Sequence, residues 1–227
     1  MRQKFTILFD LDGTLVDTAP DLMLAHNHVM KKFGYPTKST EDIRNLVGKG
    51  AGALIGRSIW GQAKKEFSKV LDAKIKDEMV KEFVNFYGKN IVNESTLVNG
   101  VKDFLIWCKE QNISMAVCTN KQEHLSNDLL KKIGIYDFFE YVAGSDTFDY
   151  CKPDPRHLTN VVEILDGDVK KTIMIGDSET DANAAKAAEI PVILLENGYT
   201  EKNTTEIYHN HLIKDFTGIE KIIKKYL

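Results

Sequence analysis

Apolar residues along this chain follow two rhythms, and the change between them divides it into parts. Residues 5 to 9 read FTILF, β-branched and aromatic without a charge, which predicts a strand buried on both faces of a parallel sheet. After Asp17 no strand signal appears for almost a hundred residues. Helix-period patterns replace it, over Pro20 to Phe33, Glu41 to Val47, Ala51 to Trp60, Gln62 to Leu71 and Lys76 to Ile91. From Gly100 on the rhythms alternate: helix Val101 to Gln111, strand 114 to 119, helix Leu125 to Ile133, strand 141 to 144, helix His157 to Leu165, strand 172 to 176, helix Asp181 to Glu189, strand 192 to 195. Such alternation predicts an α/β fold, a doubly wound parallel sheet. The helical block is then an insertion after the first strand. The domain boundaries expected are residues 1–16 and 95–227 for the α/β core and 17–94 for the all-helical part.

The first strand runs into Asp10, Leu11, Asp12, Gly13, Thr14 and Leu15. Ligand chemistry in parallel sheets sits at the carboxyl ends of the strands, so two carboxylates are delivered there. Alone, this string also reads as a turn, because Asp and Gly are the usual turn residues. A calcium loop fails on register: with Gly13 at its sixth position, the first would be Leu8, which has no side-chain oxygen.

Three further groups stand at strand ends or in the adjoining loops. Ser114 to Cys118 leads to Thr119, Asn120 and Lys121, with a hydroxyl and an amide suited to phosphate oxygens. The loop after Tyr141 to Ser145 carries Lys152, Pro153, Asp154 and Pro155, and two prolines are expected to hold it extended so that an ammonium has a fixed direction. Thr172 to Ile175 leads to Gly176, Asp177, Ser178, Glu179, Thr180 and Asp181, with two carboxylates one helical turn apart. Each group has a plainer reading: Thr119 and Asn120 as helix caps, Lys152 as a solvated lysine, Asp181 as a residue favoured at a helix N-terminus. Packing gives no reason for all of them to converge on one crevice.

Asp10, Asp12, Gly13, Thr14 and Leu15, then Thr119 and Asn120, then Lys152 and Pro153, then Gly176, Asp177 and Asp181 resemble the four motifs of the haloacid dehalogenase superfamily of phosphohydrolases. The resemblance implies a Rossmann-like core with a helical cap as a mobile lid. It implies Asp10 as the nucleophile that takes the phosphoryl group and Asp12 as the acid that protonates the leaving oxygen, then the base for water. Thr119, the backbone of Asn120 and Lys152 would hold the phosphate. Magnesium would be bound by Asp10, the main-chain carbonyl of Asp12 and Asp177, with Asp181 in or just behind that set. These residue types suit the chemistry, because a carboxylate approaching a phosphate dianion needs neutralising charge and oxygens held in line. Dehalogenases of the superfamily lack the second aspartate, whereas Asp12 is present, so hydrolysis is favoured.

Selectivity beyond the phosphate must come from elsewhere, and the helical insertion is the candidate. Its most unusual stretch, Val47 to Ser58, has four glycines in nine residues beside Lys49 and Arg57. The string GKGAGA mimics a dinucleotide fingerprint, but a helix rather than a strand precedes it. A VGxGxxxLxxR run here resembles phosphoglycolate phosphatases, and Lys49 or Arg57 can meet the carboxylate of a small acid. Alternatives on the same core are sugar-phosphate, nucleotide or pyrophosphate phosphatases, a phosphomutase, or an idle binding protein.

Charge and composition narrow the partners. A net charge of −3 gives no footprint for nucleic acid or an anionic membrane, and no apolar run approaches the roughly 20 residues needed to span a bilayer. The expected partner is therefore a small-molecule phosphate ester, and the protein a monomer or homodimer. Cys108, Cys118 and Cys151 form no CxxC pair, their odd number argues against a disulfide framework, and the strand starts too early for a signal peptide. A cytoplasmic location is the expectation.

Overall fold

The computed structural model describes residues 4–60 and 69–227. Its centre is a six-stranded parallel sheet in the order β5-β4-β1-β6-β7-β8, built from β1 (Thr6–Phe9), β4 (Ser114–Cys118), β5 (Tyr141–Ala143), β6 (Thr172–Gly176), β7 (Val192–Leu195) and β8 (His211–Ile213). β1 lies between β4 and β6, with Thr6 level with Ser114 on one side and Thr172 on the other. Chain order runs outward from β1 in both directions, so β1 is the switch point at which such sheets open a crevice at their carboxyl edge.

The run FTILF becomes the central strand because both its faces are covered. Ile7 and Phe9 belong to the core on one side, where Phe9 meets Phe104, Phe139 and Phe216, and Leu8 belongs to the core on the other. Burial of a side chain such as Phe9 contributes on the order of 1.5–3 kcal/mol. The flanking helices α5 (Val101–Glu110), α6 (Glu123–Ile133), α7 (Arg156–Ile164) and α8 (Glu179–Ala187) follow the expected alternation, with α9 (Glu220–Ile223) after the edge strand β8. β8 extends the sheet one strand beyond the predicted set: with three residues, HLI, of which only Ile213 is buried, it is too short to show a strand period.

The helical block consists of α1 (Ala19–Phe33), α2 (Thr40–Arg44), α3 (Ala51–Trp60) and α4 (Lys69–Lys89), with α4 packed on α1 and α3. α2 is shorter than the pattern Glu41 to Val47, beginning with a reciprocal capping box between Ser39 and Asp42 and ending at Arg44. The pattern over Gln62 to Leu71 lies outside the described residues at positions 62–68, and its end is continuous with α4. A two-residue ribbon, β2 (Val16–Asp17) against β3 (Thr96–Leu97), joins the start and end of this block. Two residues per strand are too few to show a period of two, which is why the sequence gives no sign of it. Beside the ribbon, the buried Asp21 of α1 accepts hydrogen bonds from the amides of Asn93, Glu94 and Ser95 and from the Ser95 hydroxyl.

Candidate active site

The four sequence groups meet at the carboxyl edge of β1, β4 and β6. Asp10 leaves β1 with its amide donating to Ile175 O at 2.9 Å, which fixes its backbone to β6. Gly13 then turns the chain with φ +83, and a Cβ there would lie 2.2 Å from Asp177 Oδ2 and 2.9 Å from the Tyr199 ring. Only glycine permits both the dihedral and the approach.

Asp10 is 6% exposed, and its Oδ1 lies 3.0 Å from Lys152 Nζ. Burial pushes its carboxyl up to about 6, with Lys152 opposing and Asp181 adding to the rise. Asp177 is raised well above the usual carboxylate range by burial, then by the charges of Asp10 and Asp181. Its Oδ1 accepts from the Thr14 hydroxyl at 3.2 Å and its Oδ2 from the Tyr199 amide at 2.6 Å. Asp181 is fully buried and saturated: Oδ2 accepts from the Asp177 and Ser178 amides and the Ser178 hydroxyl, and Oδ1 from Lys152 at 2.5 Å. It therefore caps α8 and also anchors the ammonium. The plainer reading of Asp181 as a residue of the helix N-terminus is what these amide contacts show, and the contact with Lys152 is added to it.

Burial opposes the Lys152 ammonium, but Asp10 and Asp181 outweigh it and raise its pKa above the ordinary lysine range. Its segment is not extended, as two prolines implied: the Lys152–Pro153 peptide is cis and the chain turns there. The Asn120 amide braces the turn by donating to Lys152 O at 2.9 Å, and it donates also to Gly48 O of the helical block at 3.1 Å. The Thr119 hydroxyl is buried beside Asp10 at the end of β4, where it accepts the Lys121 amide at 3.2 Å.

Asp12 is the one site carboxylate outside the Lys152 cluster. Its Oδ1 accepts from the Thr18 hydroxyl at 2.7 Å, and Lys121 Nζ lies 2.8 and 2.9 Å from its two oxygens. A cavity of about 300 Å³ opens between this edge and the helical block, lined by Asp10, Asp12, Lys49, Tyr87, Thr119 and Lys121. Lys49 is exposed at its mouth. Arg57 is not brought to it: its guanidinium donates to Leu46 O at 3.0 Å and Asn45 O at 2.9 Å and pairs with Glu201 of the α/β core. Those carbonyls end the α2 turn, and they hold the guanidinium on the far side of the loop.

Sequence reasoning assigned no role to Lys121 or Tyr199. Lys121 adjoins Thr119 and Asn120, and its position was the available signal. Tyr199 follows Asn197 and Gly198, a turn signal, and its hydroxyl donates to Asp17 at 2.5 Å and accepts from the Ala19 amide.

Residues 7–195 match the family model described as haloacid dehalogenase-like hydrolase. The chain belongs to that family. It is 37% identical to a phosphoglycolate phosphatase of Mesorhizobium japonicum over 94% of this chain and 92% of that protein, and 38% identical to one of Caulobacter vibrioides over 95% and 89%. A crystal structure titled as a predicted phosphoglycolate phosphatase from Haemophilus somnus superposes with a TM-score of 0.89 at 31% identity, covering 98% of this chain and 99% of that one. The protein is accordingly an enzyme, a phosphoric monoester hydrolase of the phosphoglycolate phosphatase-like type, with a Rossmann-like core and a helical cap. Among the described residues no helix is long and apolar enough to cross a membrane.

The family implies a divalent metal, and the donor set fits one. Oxygen atoms of Asp10, Asp177 and Asp181 lie within 4.8 Å of one another, all buried. All-oxygen donors suit magnesium, and the buried Asp10 Oδ1, whose close donor is Lys152 Nζ at 3.0 Å, keeps acceptor capacity for an ion.

Proposed function

We propose that the protein hydrolyses phosphoglycolate, with magnesium, through a phosphoryl group carried on Asp10. The observation that carries this reading is the buried Asp10 carboxylate, which shares the wall of the cavity with Thr119 and has its Oδ1 3.0 Å from Lys152 Nζ. Asp10, the main-chain carbonyl of Asp12 and Asp177 would hold the ion, with Asp181 just behind because its oxygens are already taken. When bound, the ion neutralises phosphate charge and holds the oxygens in line.

The Asp10 oxygen attacks phosphorus, and the bond from phosphorus to the ester oxygen breaks as Asp12 gives that oxygen a proton. Water then attacks the phosphorus of the aspartyl phosphate, Asp12 takes its proton, and inorganic phosphate leaves with Asp10 restored. The Thr119 hydroxyl, the Asn120 backbone and the Lys152 ammonium hold the phosphoryl oxygens through both steps. Asn120 keeps Lys152 in place and ties the Gly48 loop down over the crevice.

Residues 17–94 act as the cap, with 1–16 and 95–227 as the hydrolase core. The cap excludes water and selects the leaving group; Lys49 attracts the substrate anion at the cavity mouth, and Arg57 shapes the loop that carries Lys49. The relatives named as phosphoglycolate phosphatases support the substrate assignment. A panel of phosphate esters including phosphoglycolate, sugar phosphates and nucleotides, assayed with and without magnesium, tests it. Preference for phosphoglycolate that vanishes without the ion is the expected result. A sugar phosphate or nucleotide at the head of the panel would overturn the substrate.

A further inference from the structure

Two lysines of the described chain are nine-tenths buried, Lys152 and Lys121. Lys152 is committed to Asp10 and Asp181. Lys121 lines the cavity itself, its side chain 6% exposed, with both oxygens of Asp12 at 2.8 and 2.9 Å and the Tyr87 ring centroid 4.4 Å from Nζ. Above it the buried Tyr87 hydroxyl has no hydrogen-bond partner.

We propose that Lys121 selects the substrate: its ammonium binds a carboxylate placed one carbon away from the ester oxygen, so the enzyme prefers phosphate esters of α-hydroxy acids. The inference rests on the phosphatase reading above and names the residue that gives it its substrate class. Asp12 must reach the ester oxygen, and in an α-hydroxy acid ester that oxygen and the carboxylate share one carbon. The group that binds the carboxylate must then adjoin the group that serves the ester oxygen. Lys121 and Asp12 are in direct contact, and among the described residues that line the cavity no other cation is buried.

The two contacts are mutually exclusive in a useful way. When Asp12 turns to the ester oxygen it gives up the ammonium, and a buried ammonium without an anion is costly. A substrate carboxylate replaces the anion that Asp12 withdraws, and the Tyr87 hydroxyl supplies a donor to the same group. A neutral ester offers no replacement. Lys49, exposed to water, holds an anion far more weakly than a buried ammonium does.

The test compares kcat/KM for phosphoglycolate and for ethyl phosphate, which has the same length without the carboxylate, in wild type, Lys121→Met and Lys121→Arg. In Lys121→Met the ratio of the two is expected to fall about a hundredfold, mainly through KM for phosphoglycolate, whatever happens to the rate common to both esters. Lys121→Arg, which keeps the charge, is expected to retain most of the ratio. As a binding readout, 3-phosphonopropionate should inhibit wild type far better than propylphosphonate, and the gap should close in Lys121→Met. Lys121→Gln replaces that variant if it does not fold. A ratio held within about threefold in a folded variant overturns the role of Lys121 and leaves the substrate assignment standing. A wild type without preference for phosphoglycolate over ethyl phosphate overturns the phosphoglycolate reading itself, and this inference with it.

Discussion

Replacing Asp21 by alanine removes the clamp between the first turn of α1 and the returning chain at residues 93–95. Its Oδ2 accepts from the Asn93 amide at 3.1 Å, the Ser95 amide at 2.9 Å and the Ser95 hydroxyl at 2.6 Å, and its Oδ1 from the Glu94 amide at 3.0 Å. Hydrogen bonds to a charged group each contribute about 1.5–3 kcal/mol. Asn93 and Glu94 are exposed, so their amides recover water and their share is discounted; Ser95 is 8% exposed, so its amide and hydroxyl stay unsatisfied. The expected loss for Asp21→Ala is about 3 kcal/mol, the two Ser95 bonds making up most of it. Ser95→Ala removes only the hydroxyl bond and should cost about 1 kcal/mol. Urea denaturation of both variants, with the m-value compared to wild type, measures the two losses. If Asp21→Ala cost no more than Ser95→Ala, the amides would not be held by this carboxylate and the clamp would be a coincidence of position.

Asp10→Asn should fold normally and retain less than about a hundredth of the phosphatase activity, since an amide cannot take a phosphoryl group; a larger residue of turnover would rule out a route through Asp10. Arg57→Ala should lower kcat/KM for phosphoglycolate and for ethyl phosphate by the same factor, because Arg57 supports the Asn45 and Leu46 carbonyls rather than the cavity; a fall of about tenfold specific to phosphoglycolate would make it a substrate ligand after all. Burial, helped by Lys152, lowers His157 from 6.5 to about 4. Between those two pH values the unfolded chain binds a proton that the folded one does not, so stability is lost as pH falls through this window, by up to about 3 kcal/mol. The drop in urea midpoint from pH 7 to pH 4.5 should be smaller in His157→Asn, and an unchanged drop would exclude His157 as its source.

The core of the site was legible because strand and chemistry coincide in sequence. FTILF before Asp10, SMAVC before Thr119 and TIMI before Asp177 each mark a buried strand and the residue that its end delivers, and the structure brings Asp10, Thr119, Lys152, Asp177 and Asp181 to one edge. What was not legible depends on pairings far apart in the chain. The contact of Lys121 with Asp12 spans 109 residues and that of Tyr199 with Asp17 spans 182, and a lysine or tyrosine carries no local mark of its distant partner. Arg57 shows the converse: a cation in a glycine-rich cap loop points to a ligand by composition, yet the nearest unsatisfied acceptors were the carbonyls that end its neighbouring helix.

Tyr199 sets a limit on how this scaffold can be re-engineered. Its ring occupies the space beside Gly13, its amide holds Asp177, its hydroxyl bridges Asp17 and Ala19 at the start of the cap, and the Arg44 guanidinium of α2 lies 5.4 Å above its ring. Arg44 in turn pairs with Asp17 at 2.7 Å. A variant library aimed at new leaving groups can vary Lys49, which is exposed at the cavity mouth, while keeping the glycines beside it that lie against Asn120 and Tyr199 of the core. The same freedom does not extend to position 199. A foreign cap grafted onto this core must keep a partner for Tyr199, because the residue that meets Asp17 and Ala19 also holds the carboxylate of Asp177.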